Sequence, residues 1–245
     1  RGLVAGQACR EAGAMNAEAG FFRFPTTPHL AWLGGGATPR EDKVLTPTEA
    51  AELLAGEVVV EEKLDGANLG WSLDADGSLR AQNRGQYLTH PHAGQFARLP
   101  AWEAIHGQAL REALTPGLIL FGEWCAARHS LEYDLLPDWF LAFDVYDRAE
   151  GCFWSTERRN ELAARIGVQT VPQVLLGHTD VATLERILAE WPSRYRSGPM
   201  EGVVVRREDA DHGLARAKLV RADFTQAIEG HWRNRAIEWN RVSYP

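Results

Sequence analysis

The stretch from Glu57 to Leu73, EVVVEEKLDGANLGWSL, limits the fold more than any other part of the chain. Val58, Val59 and Val60 are a β-branched run of the kind that fills a buried strand. Glu61, Glu62 and Lys63 carry that strand into a turn at Asp65-Gly66. Leu69, Trp71 and Leu73 then alternate on one face, Asp76-Gly77 reverses the chain, and SLRAQ returns as the second arm of a hairpin.

Helical and strand patterns follow without regular alternation. TPTEAAELLAG predicts a short helix, with Thr48 as its cap and Gly56 just beyond it. AWEAIHGQALREAL has helical spacing through Trp102, Ile105, Ala109 and Leu110. STERRNELAARIG reads as a capped helix with Glu157 in its first turn and Gly167 at its end, and TDVATLERILAEW as an amphipathic one. LILFGEW, WFLAFDVYD, GVVVRR and ARAKLVR have strand character. FTQAIEGHWRNRAIEWNR predicts a closing helix with Phe224, Ile228, Trp232 and Ile237 on its apolar side. This order implies an α+β fold of antiparallel sheets flanked by helices. With no internal repeat or linker, one domain over residues 21–245 is the economical division, preceded by a flexible segment over 1–20.

Several classes are disfavoured by composition. No apolar run approaches the ~18 residues of a membrane span, and the N-terminal stretch lacks the apolar core of a signal peptide. Cys9, Cys125 and Cys152 form no CxxC pair, which argues against a zinc site or disulfide framework and for an intracellular location. The net charge of −7 argues against a general phosphate-binding coat but leaves room for a local basic groove. Much of the positive charge sits in RREDADHGLARAKLVR and HWRNRAIEWNR.

The sharpest chemical signal is KLDGAN, Lys63 to Asn68, at the end of the valine strand. A lysine amine is a nucleophile only when deprotonated, so it needs burial or neighbouring cations. The valines supply burial, and Gly66 permits a turn tight enough for a nucleotide to approach the backbone. Taken alone, KxDG is also what a surface lysine beside a hairpin looks like. Its companions are Arg84-Gly85, Phe121-Gly122-Glu123, Phe143-Asp144, Glu201-Gly202 and Arg216-Ala217-Lys218. Each has a bland alternative, such as a strand-end carboxylate, a core aromatic or a solvated charge. Their order along one chain is what coincidence explains poorly.

That ordered set resembles the covalent nucleotidyltransferase superfamily of DNA ligases, RNA ligases and mRNA capping enzymes. The resemblance runs from about Phe24 to the final helix. It places Lys63 in motif I, Arg84 in the basic motif that follows, Glu123 in motif III and Phe143 in motif IIIa. Glu201 falls in motif IV, and Arg216 with Lys218 in motif V. KLDGAN, LFGEWCAARHSLEYDLLPDWFLAFDVYD, PHLAWLGGGATPREDKVL and KLVRADFTQAIEGHW look most like the ATP-dependent RNA ligase branch. Motif V departs from the common Lys-x-Lys at Arg216, which keeps the charge but replaces a compact ammonium by a planar fork. The residues after Lys218 are too few for the C-terminal OB domain of DNA ligases and capping enzymes, which favours RNA.

The resemblance implies a lysyl-AMP on Lys63, made from ATP with Mg²⁺ or Mn²⁺, and an RNA substrate with 5′-phosphate and 3′-hydroxyl ends. It gives Lys218 and Arg216 to the α-phosphate, where their charge would help keep Lys63 neutral. Glu201 and Glu123 go to the metal, Phe143 to the adenine face and Glu62 to the adenine edge. Glu123 or Arg84 serves the ribose or the 5′-phosphate, Asn68 the nucleic-acid end or a phosphate, and Lys43 the departing pyrophosphate. An end-healing kinase or phosphatase is a possible partner. The competing readings are a DNA nick-sealing ligase and a non-catalytic RNA-binding module with the same fold.

Overall fold

The computed structural model describes residues 20–34, 43–227 and 236–243; of the segment 1–20 it describes only Gly20. In chain order the elements are α1 (Pro47–Leu53), β1 (Val58–Lys63), β2 (Ala67–Leu73), β3 (Leu79–Gln82), α2 (Leu99–Ala113), β4 (Leu118–Trp124) and β5 (Phe140–Asp147). There follow β6 (Cys152–Phe153), α3 (Thr156–Ile166), β7 (Gln169–Thr170), β8 (Gln173–Gly177) and α4 (Val181–Glu190). β9 (Gly202–Glu208), β10 (Gly213–Val220) and α5 (Ala222–Ala227) complete the order. Strands and helices form the expected α+β arrangement, with antiparallel pairing except where β7 runs parallel to β5.

The valine strand β1 lies inside a four-stranded sheet of order β10-β9-β1-β8. Its period of two sends Val58 and Val60 to one side and Glu61 and Lys63 to the other. Residues directly opposite in an antiparallel pair share a face, and the register sets Glu61 against Val204 and Lys218 against that same Val204. Arg216 stands opposite Arg206. The apolar face, with Val203, Val205, Ala217 and Leu219, is covered by Ala50 and Leu53 of α1 and by Leu184, Ile187 and Leu188 of α4. The charged face is left to look at the second sheet.

That sheet runs β3-β2-β4-β5-β6. Leu69, Trp71, Leu120, Trp124, Phe140 and Ala142 pack as the hairpin pattern predicts, against Leu99, Trp102 and Leu110 of α2 and Leu162, Ala163 and Ile166 of α3. The opposite face carries Asn68, Glu123 and Leu141 in register. A bulge in β5, where Phe121 pairs with Asp144 but Gly122 with Ala142, leaves Phe143 as the extra residue. Bulges re-aim a side chain, and here Phe143 turns toward the first sheet.

Three local expectations are corrected. Thr46, not Thr48, caps α1: its hydroxyl accepts the Glu49 N–H at 3.2 Å while Glu49 accepts the Thr46 N–H at 2.8 Å. Pro47 at the first helical position has its φ already fixed for a helix, and Thr48 lies inside it. Ile105 is 74% exposed, because α2 turns Leu99, Trp102, Gly107 and Leu110 to the core. The closing helix does not run through the tail. α5 contains Phe224 but residues 236–243 are non-helical, Ile237 is exposed, and Ile228 and Trp232 lie outside the described residues. Asn240 explains the extended path. It is buried, donates to the Cys125 carbonyl at 2.8 Å and accepts the Tyr133 N–H at 3.0 Å.

The two sheets meet through a buried ion network. Glu61 accepts from Arg159 of α3 at 2.6 Å and from Arg206 of β9 at 2.7 Å. Arg206 reaches on to Asp144 of β5 at 2.6 Å, and Arg216 of β10 takes the other Asp144 oxygen. Arg159 also donates to the Phe143 carbonyl at 2.8 Å, fixing the bulge. Burial alone would raise the Glu61 carboxyl, but Arg159 and Arg206 outweigh it and hold it below the usual range. Removing one member of such a network leaves buried charge unpaired, at a cost of about 3–5 kcal/mol. Glu61→Ala is therefore expected to lose stability on that scale in urea unfolding; a loss under about 1 kcal/mol would show that the network does not hold the sheets together.

Candidate active site

Between the charged face of the first sheet and the β5 bulge lies a cavity of ≈ 330 Å³, of a size that suits a small-molecule ligand. Lys63 reaches it from the end of β1, with Glu62 beside it on the wall. Lys218, Arg216 and Arg84 line it, as do Asn68, Glu123 and Phe143. Glu201 stands behind the lysine: its Oε1 is 2.6 Å from Lys63 Nζ. Nine of the ten residues singled out from sequence are thus brought together. Lys43 is not, since its side chain is exposed and pairs with Glu49.

The turn that presents Lys63 is tied down on three sides. Asp65 Oδ2 accepts the N–H groups of Ser130 and Leu131, at 2.7 and 2.8 Å. The Asp65 N–H donates to the Tyr133 hydroxyl at 2.8 Å. The Gly66 N–H donates to Glu123 at 2.9 Å. A Cβ on Gly66 would lie 2.6 Å from the Trp124 carbonyl oxygen, so only glycine fits between β4 and this turn.

The electrostatics differ from expectation. Burial acts to depress the Lys63 pKa, but Glu201, Glu123 and Asp65 together prevail and hold it above the ordinary lysine value. The cations Arg216 and Lys218 do not make this lysine neutral: its nearest charged neighbours are carboxylates. In turn, burial pushes Glu123 and Glu201 up to about 7 each, against the pull of Lys63. Glu62 is also raised by burial, while the Ser193 hydroxyl and the Arg194 N–H donate to it. Two acceptor atoms here, Glu201 Oε2 and Asn68 Oδ1, are buried with no hydrogen-bond partner. Such orphaned oxygens are rare enough to need a cause.

The wall also takes in Phe24, Thr27, Glu61, Asp144 and Arg206, to none of which sequence reasoning gave a role. Phe24 arrives because the segment before α1 lies along β10: the Lys218 N–H donates to the Pro28 carbonyl, and the Leu30 N–H to Lys218. Its ring and that of Phe153 flank the Arg216 guanidinium at 4.4 and 4.3 Å. Glu61, two residues before Lys63, was findable from strand alternation. Nothing local to Arg159 marks it as the partner of Glu61. No helix of the described residues is long and apolar enough to cross a membrane.

A family model for RNA ligase matches residues 56–220. No curated protein matches the chain in sequence. Among solved structures the chain is similar to Naegleria gruberi RNA ligase with PPi, at a TM-score of 0.57 and 20% identity over 85% of this chain and 64% of that one. It is similar to a variant of that ligase with ATP and Mn (TM-score 0.55, 19% identity, 73% of this chain, 54% of that one). A variant with AMP and Mn gives 0.56, 18%, 84% and 63%. At these identities the likeness is one of fold, and the chain spans less than two thirds of the length of each of those chains.

Gly66→Ala is expected to cost about 1–3 kcal/mol and to lower any reactivity of Lys63 with it, because the turn has to back away from β4. Thermal denaturation of the variant checks this; an unchanged melting temperature would mean that the turn does not need its close approach to Trp124.

Proposed function

The chain belongs to the RNA ligase family, and from that premise we propose that it joins RNA 5′-phosphate and 3′-hydroxyl ends through a covalent lysyl-AMP on Lys63. One observation carries the reading: a half-buried lysine at a strand end, in contact with a carboxylate, inside a cavity that also gathers cations and an aromatic face. On this reading residues 21–245 act as one nucleotidyltransferase unit. The Naegleria gruberi ligase structures hold ATP, AMP, PPi and Mn, and these support ATP as the nucleotide donor here.

In the first step Lys63 Nζ attacks the α-phosphorus of ATP; a P–N bond forms and the P–O bond to pyrophosphate breaks. In the second, a 5′-phosphate oxygen of the RNA takes the AMP, releasing the lysine. In the third, a 3′-hydroxyl oxygen attacks that activated phosphate, forming the phosphodiester and releasing AMP. Phosphoryl transfer of this kind depends on position and charge neutralisation. Lys218, with Arg216 in part, meets the α-phosphate, and Arg84 the ribose or the 5′-phosphate. Phe143, aimed by the bulge, stacks on adenine, and Glu62 takes the adenine edge.

Glu201 Oε2, Glu123 and Asn68 Oδ1 are an all-oxygen donor set with orphaned acceptors, which fits a hard divalent cation such as Mg²⁺ or Mn²⁺. Bound there, the cation would draw off carboxylate charge and neutralise phosphate. The carboxylates that hold Lys63 protonated would then release it, so the nucleophile is masked until nucleotide and cation arrive together. An end lacking a 5′-phosphate would need a kinase to act first.

Wild-type protein incubated with α-labelled ATP and Mg²⁺ is expected to become labelled, and Lys63→Ala to stay blank. Label persisting on the variant would remove the nucleophile. Absence of label and of bound AMP in the wild type, by intact mass, would favour a binding module. Sealing of the same nick with an RNA or a DNA 3′-hydroxyl then tests the strand, through the 2′-hydroxyl.

The pH profile follows from the two carboxyls. Below about 7 Glu123 and Glu201 are protonated and poor cation ligands, and above it they ionise. The raised Lys63 pKa acts in the same sense, since only the free amine attacks. Adenylylation is expected to rise with pH through about 7, and Glu201→Gln to be severely slowed with that inflection weakened. A rate that falls between pH 6 and 8, values on either side of the ~7 inflection, would contradict this assignment.

A further inference from the structure

Away from the cavity, two groups of three metal-ligating side chains converge among the described residues: His90, His92 and Glu103, and Glu150, Cys152 and His212. They are not equivalent. In the second, the Glu150 carboxylate already contacts His212 Nε2 at 3.1 Å and Arg158 at 3.6 Å, so a permanent cation competes for it. In the first, the ligand atoms lie within 4.8 Å of one another. The two imidazole rings lie 4.2 Å apart between centroids, tilted by 43°.

We infer that His90, His92 and Glu103 form a Zn²⁺ site that clamps the loop between β3 and α2 onto α2. Two imidazole nitrogens and one carboxylate oxygen are a donor set zinc uses with its remaining position left to water. Donors around Zn²⁺ sit about 2.0–2.2 Å from the ion, so small side-chain rotations from the present spacing close the site. The frame is already rigid on both sides. Glu103 is fixed in the first half of α2. The loop is held by the Trp124 indole N–H donating to the Gln95 carbonyl at 2.8 Å, by the Gln95 side chain against His129 at 2.7 Å, and by buried Phe96. His90 is exposed and provides the entry path.

The site would also keep two metals apart. Mg²⁺ prefers oxygen and sheds water reluctantly, so it does not compete for an imidazole pair, whereas Zn²⁺ favours it. Loading would brace the loop that starts beside Arg84 without touching Lys63. The inference therefore stands whether or not the ligase reading holds.

The test is calorimetric titration of Zn²⁺ into the chelator-treated full chain in excess Mg²⁺, with metal content measured after gel filtration. One equivalent is expected, retained in His212→Ala. Affinity should fall in His90→Ala and His92→Ala by more than the roughly 10–100-fold that an outer-shell partner is worth. Unchanged metal-free melting temperatures would show these variants are folded. Co²⁺ in place of Zn²⁺ should show no thiolate charge-transfer band, since Cys152 is not a ligand. Absence of binding, binding that survives both histidine substitutions, or binding lost in His212→Ala would each overturn the assignment.

Discussion

The Glu61–Arg206–Asp144–Arg216 network is the contact on which the rest of the site depends. It is drawn from β1, β9 and β10 of one sheet and β5 of the other, with Arg159 added from α3. Each sheet has a conventional apolar face under its own helices, so neither core needs the other. What faces the gap is charged on one side and aromatic or polar on the other. Without paired ions across it, the gap would hold buried charges whose desolvation no helix packing offsets. The pairing thus joins the sheets while leaving room between them. It also sets the bulge that aims Phe143, because Arg159 ties the Phe143 carbonyl and the Glu61 carboxylate into one fork.

A second ionic arrangement lies at the other end of the cavity and works in the opposite sense. Glu61 is held ionised by two guanidinium groups, so its charge is settled. Glu123 and Glu201 share a single ammonium and are both raised toward neutrality, with Glu201 Oε2 left unpaired. One cluster is electrostatically complete and structural. The other sets two carboxylates against one ammonium and is short of positive charge. Completeness, more than burial, distinguishes the two, since all three carboxylates are largely hidden from solvent.

Most of the architecture was legible because its signals are short-range. The valine run, the Asp76-Gly77 hairpin and the Ser155 and Gly167 caps each state a local preference that the fold keeps. The residues that gather at the cavity were legible as an ordered set, although any one of them alone was not. What failed was long-range. FTQAIEGHWRNRAIEWNR has helical spacing, yet Asn240 takes two buried hydrogen bonds with the loop after β4 that a helix there would forgo. Ile105 fits an apolar repeat, yet which side of α2 meets the sheet is decided by Trp102 and Leu110, whose partners are distant in sequence. Lys43 is the opposite case: its partner Glu49 is only six residues on, and the pair leaves the side chain outside the cavity.

The departure at Arg216 also becomes intelligible in this frame. A lysine there would bring one compact, strongly hydrated charge, without a planar face to stack on aromatic rings. Arg216 meets three demands at once. It gives an N–H to Asp144, lies against the rings of Phe24 and Phe153, and keeps a face on the cavity wall. Burial, with Arg206 and Arg84 nearby, lowers its pKa to about 10, against the pull of Asp144. A lysine, with a lower starting pKa, would meet the same pressures from closer to neutrality. The planar, persistently charged fork suits a position that must both close the ion network and keep a face on the cavity wall. The aromatic pair that flanks it, one ring from the segment before α1 and one from β6, makes that choice of residue a consequence of the packing around it.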